Sequence, residues 1–76
     1  MAIQDYDEWI KKLPDGKGVR FSYQLLVSGF SASAEILEAS DVVMIYTHTR
    51  TDLPPPAGRE QIEAEFAEDL RRAAMH

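Results

Sequence analysis

The segment Val19-Arg20-Phe21-Ser22-Tyr23-Gln24-Leu25-Leu26-Val27-Ser28-Gly29-Phe30-Ser31-Ala32-Ser33-Ala34-Glu35-Ile36 decides the fold. Val19, Phe21, Tyr23, Leu25 and Val27 alternate with Arg20, Ser22, Gln24, Leu26 and Ser28. A period of two marks a half-buried strand, because successive strand side chains point to opposite faces. Beyond Ser28-Gly29 the alternation resumes, with Phe30, Ala32, Ala34 and Ile36 set against Ser31, Ser33, Glu35 and Leu37. A two-residue loop at Ser28-Gly29 predicts the pairs Val27–Phe30, Leu25–Ala32, Tyr23–Ala34 and Phe21–Ile36. All four pairs share one face, large residues meeting mostly small ones, so turn and pattern agree. Strands over 18–28 and 30–38 follow. Ala, Glu and Leu also favour a helix, which competes over 32–39.

Downstream, Ser40-Asp41 is a second turn and Val42-Val43-Met44-Ile45-Tyr46 opens a third strand over 42–50. Five consecutive apolar residues put hydrophobic side chains on both of its faces. A two-residue loop sends Val43, Ile45 and Thr47 toward the hairpin core. A loop one residue longer sends Val42, Met44, Tyr46 and His48 there instead, since a one-residue slip exchanges the faces.

Upstream, Asp5 and Glu8 have capping-box spacing, and Tyr6, Trp9, Ile10 and Leu13 have helical spacing. A helix over 5–13 is expected, stopped by Pro14 and the turn Asp15-Gly16. At the other end, residues 51–58 hold Pro54-Pro55-Pro56 and read as a stiff linker. Residues 59–74 then read as the longest helix. Ile62, Phe66, Leu70 and Ala73 form its apolar stripe, and acidic residues precede Arg71 and Arg72 as the helix dipole favours. The expectation is a single α+β domain over 1–76: a two-layer sandwich of a short helix, a three-stranded antiparallel β-meander and a C-terminal helix.

The chain has 76 residues, 45% apolar, no cysteine, and 13 acidic against 8 basic residues for a net charge of −5. A chain this short is one domain that buries a modest core. Without cysteine it has no disulfide framework and no thiolate zinc site. Its acidic first residues and lack of a long apolar run suggest neither a signal peptide nor a membrane span, so a soluble cytoplasmic protein is expected. Lys11, Lys12, Lys17 and Arg20 are interleaved with Asp5, Asp7, Glu8 and Asp15, which argues against direct nucleic-acid binding. The acidic balance favours a partner with a basic surface.

Catalytic and metal-binding patterns are missing. His48 is the only internal histidine and has no second histidine to form a dyad. His48 and Asp52 are too few ligands for a metal. No serine lies in a Gly-x-Ser-x-Gly elbow, and Gly16-Lys17-Gly18 lacks the remainder of a phosphate loop. No catalytic residue, metal or cofactor is therefore expected. Two surfaces stand out. Glu60, Glu63, Glu65, Glu68 and Asp69 on the last helix, extended by Asp5, Asp7 and Glu8, would dock on a basic partner. Leu26 and Leu37, joined either by Val43 and Ile45 or by Val42, Met44 and Tyr46, form an apolar sheet face large enough to have a purpose. That face is covered either by a helix on each side of the sheet or by a second subunit.

In size, acidity and order of elements the chain resembles the small phage-encoded inhibitors, of which anti-CRISPR proteins are the best-known group. The resemblance implies a non-enzymatic protein-binding module that occludes a nucleic-acid-binding or assembly surface of a larger complex. No motif carries it, so it transfers no site residues. The alternatives are a homodimeric regulatory or accessory domain using the sheet face, and a small enzyme with Tyr46, His48 and Arg50 at a subunit interface.

Overall fold

A computed structural model describes residues 5–51 and 53–74. Asp52 and the terminal His76 lie outside the described residues, and with Asp52 the idea of its pairing with His48. Four strands, β1 (Tyr6–Lys12), β2 (Gly18–Leu25), β3 (Phe30–Glu38) and β4 (Asp41–Arg50), form one antiparallel sheet in the order β1-β2-β3-β4. Two helices follow, α1 (Arg59–Glu65) and α2 (Ala67–Ala74). The domain is α+β, but its sheet has four strands where three were expected.

The added strand replaces the helix expected over 5–13. Its helical stripe was a coincidence of spacing: Tyr6, Trp9, Ile10 and Leu13 suit both a helix face and an interrupted strand. Trp9 is the buried residue of the segment, while Tyr6 and Ile10 are exposed on the opposite face. A helix of about nine residues is marginal alone. As a strand, the segment pairs with β2 from Tyr6–Gln24 to Lys12–Gly18. Trp9 stacks on Phe21 with ring centroids 5.4 Å apart. Ladder bonds and aromatic burial outweigh the local helical pattern.

The β2–β3 hairpin forms, with its register moved by two residues. The pairs are Leu25–Phe30, Tyr23–Ala32, Phe21–Ala34 and Val19–Ile36. Leu26 to Gly29 make a four-residue connection, in which the Leu26 N–H donates to the Gly29 carbonyl at 3.0 Å. Val27 and Ser28 leave the strand for the tip, and Gly29 supplies the positive φ of 92° that the return requires. A shift of two preserves side-chain parity, so the expected core face is the observed one.

The β3–β4 loop has two residues, Ala39 and Ser40, both with positive φ (52° and 74°), as a type I′ turn demands. Loop length alone would send Val43 and Ile45 inward. A β-bulge after Ile36–Met44 instead sets Leu37 against Val42 and leaves Val43 as the extra residue. Beyond the bulge Met44, Tyr46 and His48 share the face of Ile36, Ala34 and Ala32. Val42, Val43 and Ile45 fall on the other face, with Leu37.

The core lies on one side of the sheet. Trp9, Val19, Phe21, Tyr23, Phe30, Ala32 and Ala34 pack with Ile62 and Phe66 of the helical segment. The expected helix over 59–74 is two helices in series. Phe66 has φ −103° and ψ 4°, and its N–H turns to the Glu63 carbonyl at 3.1 Å. The break sits where the chain drives its fully buried aromatic ring into the sheet. In the linker, Pro56 is buried too, and the Ala57 N–H donates to Gln61 Oε1 at 2.8 Å, tying the linker to the start of α1.

Candidate functional site

Most of the carboxylates expected to face a partner are engaged within the chain. Asp7, on the core side of β1, accepts from Arg59 Nε and Nη2 at 2.8 and 2.9 Å. The same guanidinium lies 4.9 Å above the Trp9 ring. Glu63 accepts from the Trp9 indole N–H at 2.8 Å and from Lys11 Nζ at 3.0 Å. These contacts form a polar seam that fastens the edge strand β1 to α1.

A matching seam fastens β4. Glu65 accepts from Arg50 Nε at 2.5 Å, and Asp69 Oδ2 lies 2.5 Å from His48 Nε2. His48 Nδ1 is 3.4 Å from Glu65 Oε1, and its ring stands edge-on to Phe66 at 4.7 Å. With both ring nitrogens facing carboxylates, His48 acts as a pin between β4 and the helices. Tyr46 lies half-buried beside it on the same face. Glu68 pairs with Arg71 at 2.7 Å within α2, and Glu8 accepts from the Tyr6 hydroxyl at 3.2 Å. Asp5 and Glu60 stay exposed. The eight residues do not converge on one surface. Arg59, the cation that organises the first seam, was missed because its partner is 52 residues away in sequence.

The first seam carries a pH dependence. The Arg59 guanidinium holds the Asp7 carboxyl below the usual carboxylate range. A depressed folded value stabilises the fold above the unfolded value of 3.8 and withdraws that support as pH falls through the folded one. Arg59 is exposed and Asp7 half-buried, so solvent screening keeps the effect small. Urea midpoints measured from about pH 6 down to about pH 3 should therefore fall less steeply for Asp7→Asn than for the parent chain. Equal slopes would show that the seam does not sense the Asp7 charge.

The outer face of the sheet is open. Both helices lie on the core side, leaving the outer residues without a covering layer among the described residues. Its centre is polar, with Ser22, Ser33 and Thr47 in one row and Gln24, Ser31 and Thr49 in the next. Arg20 donates to Glu35 there at 2.7 Å. Its β4 side is apolar: Val42, Val43 and Ile45 are 41%, 51% and 57% exposed, next to half-buried Leu37. Of the nearby carboxylates, Glu35 shares the outer face and is held by Arg20, while Glu38 and Asp41 pair beside the β3–β4 turn and alternate to the other face. Of the residues expected on this face, Leu37, Val43 and Ile45 are present, whereas Leu26 has left the strand for the β2–β3 turn. Val42 joins through the bulge. At the far edge Ile10 and Tyr6 are exposed on the same face, unforeseen while that segment read as a helix.

An apolar hollow of about 220 Å³ lies between Leu13, Pro14, Ile36, Leu70 and Ala73, below the size of ordinary small-molecule sites. Among the described residues no group of three or more His, Cys, Asp or Glu side chains is arranged to hold a metal. No described helix is long and apolar enough to cross a membrane. Compared with family models, curated proteins and solved structures, the chain matches none.

Proposed function

We propose that this domain is a non-enzymatic protein-binding module that docks through the outer face of its sheet, at Leu37, Val42, Val43 and Ile45. The observation that carries the reading is an exposed apolar cluster on a face with no covering layer, in a domain whose core is complete on the other side. Exposed apolar patches with a polar rim mark interaction sites. Carboxylates stand near it, Glu35 on the same face and Glu38 with Asp41 beside the β3–β4 turn, and the chain as a whole carries −5. The partner that fits is a larger protein with an apolar surface bordered by Lys or Arg. Such basic borders line nucleic-acid channels, so occlusion of one is the inhibitory role proposed. Charge on the helices contributes less than composition suggests, because much of it is neutralised within the seams.

Affinity capture from a bacterial lysate at low and high salt, read by mass spectrometry, tests this. One partner should be retained by the parent chain and lost by Ile45→Lys with Val43→Lys, while circular dichroism stays unchanged because both side chains are in water. High salt should weaken retention, and adding the domain should release nucleic acid from the captured partner. Retention that survives both lysines, or no retention at low salt, would sink the proposal.

A further inference from the structure

The two edges of the sheet differ. β1 carries Asp7, Glu8, Lys11 and Lys12, the charged guards that keep an edge from pairing with another chain. β4 has no Lys, Arg, Asp, Glu or Pro from Val42 to Thr49. Its backbone groups are also aimed outward at known positions. Leu26 and Gly29 are a hydrogen-bonded pair closing the β2–β3 loop. Bonded and non-bonded pairs alternate along an antiparallel ladder. Odd residues of β3 therefore bond β2, and Phe30, Ala32 and Ala34 bond Arg50, His48 and Tyr46. The N–H and C=O groups of Ile45, Thr47 and Thr49 are left pointing into the open edge.

We infer that this edge pairs with the β4 edge of a second copy of the chain, antiparallel and two-fold symmetric about Tyr46, giving one continuous eight-stranded sheet. The charges at the ends of β4 select that occupant. Asp41 begins the strand and Arg50 ends it. An antiparallel copy brings each Asp41 opposite Thr51 and diagonally beside the other chain's Arg50, whose guanidinium Glu65 also holds, whereas a parallel copy sets like charges together. The register about Tyr46 also matches the faces from Val43 to Thr49. Ile45 meets Thr47 and Val43 meets Thr49 on the outer side, and Met44 meets His48 on the core side. Each outward-pointing Ile45 falls opposite the other chain's outward-pointing Thr47, for two bonded pairs and about four ladder bonds. The contact lies in the plane of the sheet and does not depend on the outer-face reading, although it would set the two outer patches side by side.

Sedimentation equilibrium of the full chain from about 1 to about 100 μM tests the inference. The mass should rise from 8.6 kDa to twice that value. Thr47→Pro should return the monomer, because it removes an outward-facing N–H and no backbone bond to β3, only the hydroxyl contact with Ser33 at 3.4 Å. Ser33→Lys, at the centre of the outer face, should leave the dimer intact. Residue-resolved hydrogen exchange on the parent chain is the second readout, needed if the proline variant fails to fold. The amides of Ile45 and Thr47 should gain protection with concentration. A monomer throughout, no gain in protection, or a dimer lost on Ser33→Lys and kept on Thr47→Pro would overturn the edge pairing. None of these results turns on whether a different protein is captured at the outer patch.

Discussion

Replacing Phe66 by Ala is expected to leave the chain largely unfolded at 25 °C. Phe66 is fully buried, 6.1 Å from the Phe21 ring and 4.7 Å from His48. Removing a buried phenyl ring costs about 3–5 kcal/mol, because transfer energy is lost and the cavity does not fully close. A domain of this size has a total stability of roughly 4–11 kcal/mol, near the low end when its core is small. Near that low end, about 4 kcal/mol, the substitution removes nearly all of what holds the fold. It also releases the helix break that places Glu65 and Asp69 against β4. Trp9 is the only tryptophan and stacks within this core, so its fluorescence should shift to the red as it meets water. A variant with a native spectrum and a stability loss under about 1 kcal/mol would place Phe66 outside the core.

The second large effect is expected at Gly29. A methyl group there would overlap the Arg50 carbonyl, with that carbonyl carbon at 2.7 Å and Thr51 Cα at 2.8 Å. Its φ of 92° adds the strain that any side chain meets in that region. Because the obstacle is backbone, relief means opening the end of the β3–β4 ladder at Phe30–Arg50. Gly29→Ala is therefore expected to cost about 3 kcal/mol in urea unfolding. Gly16 is the control: it has the same φ, but an added methyl meets nothing within 4 Å. Gly16→Ala should cost only the conformational strain, about 1 kcal/mol. Equal losses at the two sites would mean that crowding against Arg50 is not what Gly29 avoids.

The difference between these glycines could not be read from their neighbours in sequence, and the same holds for other features. The core face of the hairpin was legible because period-two alternation survives a register shift of two, even though the pairing itself moved. β1 was not legible, because seven residues satisfy helical and strand spacing equally well and only β2 breaks the tie. The bulge at Val42–Val43 was hidden because its turn, Ala39-Ser40, contains no glycine or asparagine to announce positive φ. It settled which apolar residues face outward. The sequence left Val43 with Ile45, and Val42 with Met44 and Tyr46, as alternatives for the outer patch, and the bulge joins Val42 to the first set. The helix carboxylates looked available in sequence because their partners lie far from them along the chain. Trp9 and Glu63, for example, are separated by 54 positions.

That long separation has a consequence in polymer terms. Joining Asp7 to Arg59 in an unstructured chain closes a loop of about fifty residues, at an entropic cost of about 3.5 kcal/mol. Every strand in the sheet pairs with its neighbour in sequence, so the sheet can assemble without closing that loop. Once it has, the only free chain between β4 and α1 is the segment 51–58, and the same expression gives about 1.8 kcal/mol for roughly eight residues. Its three prolines restrict the unfolded segment further. The meander thus turns a contact distant in sequence into a short-range one, and a few polar groups suffice to hold it.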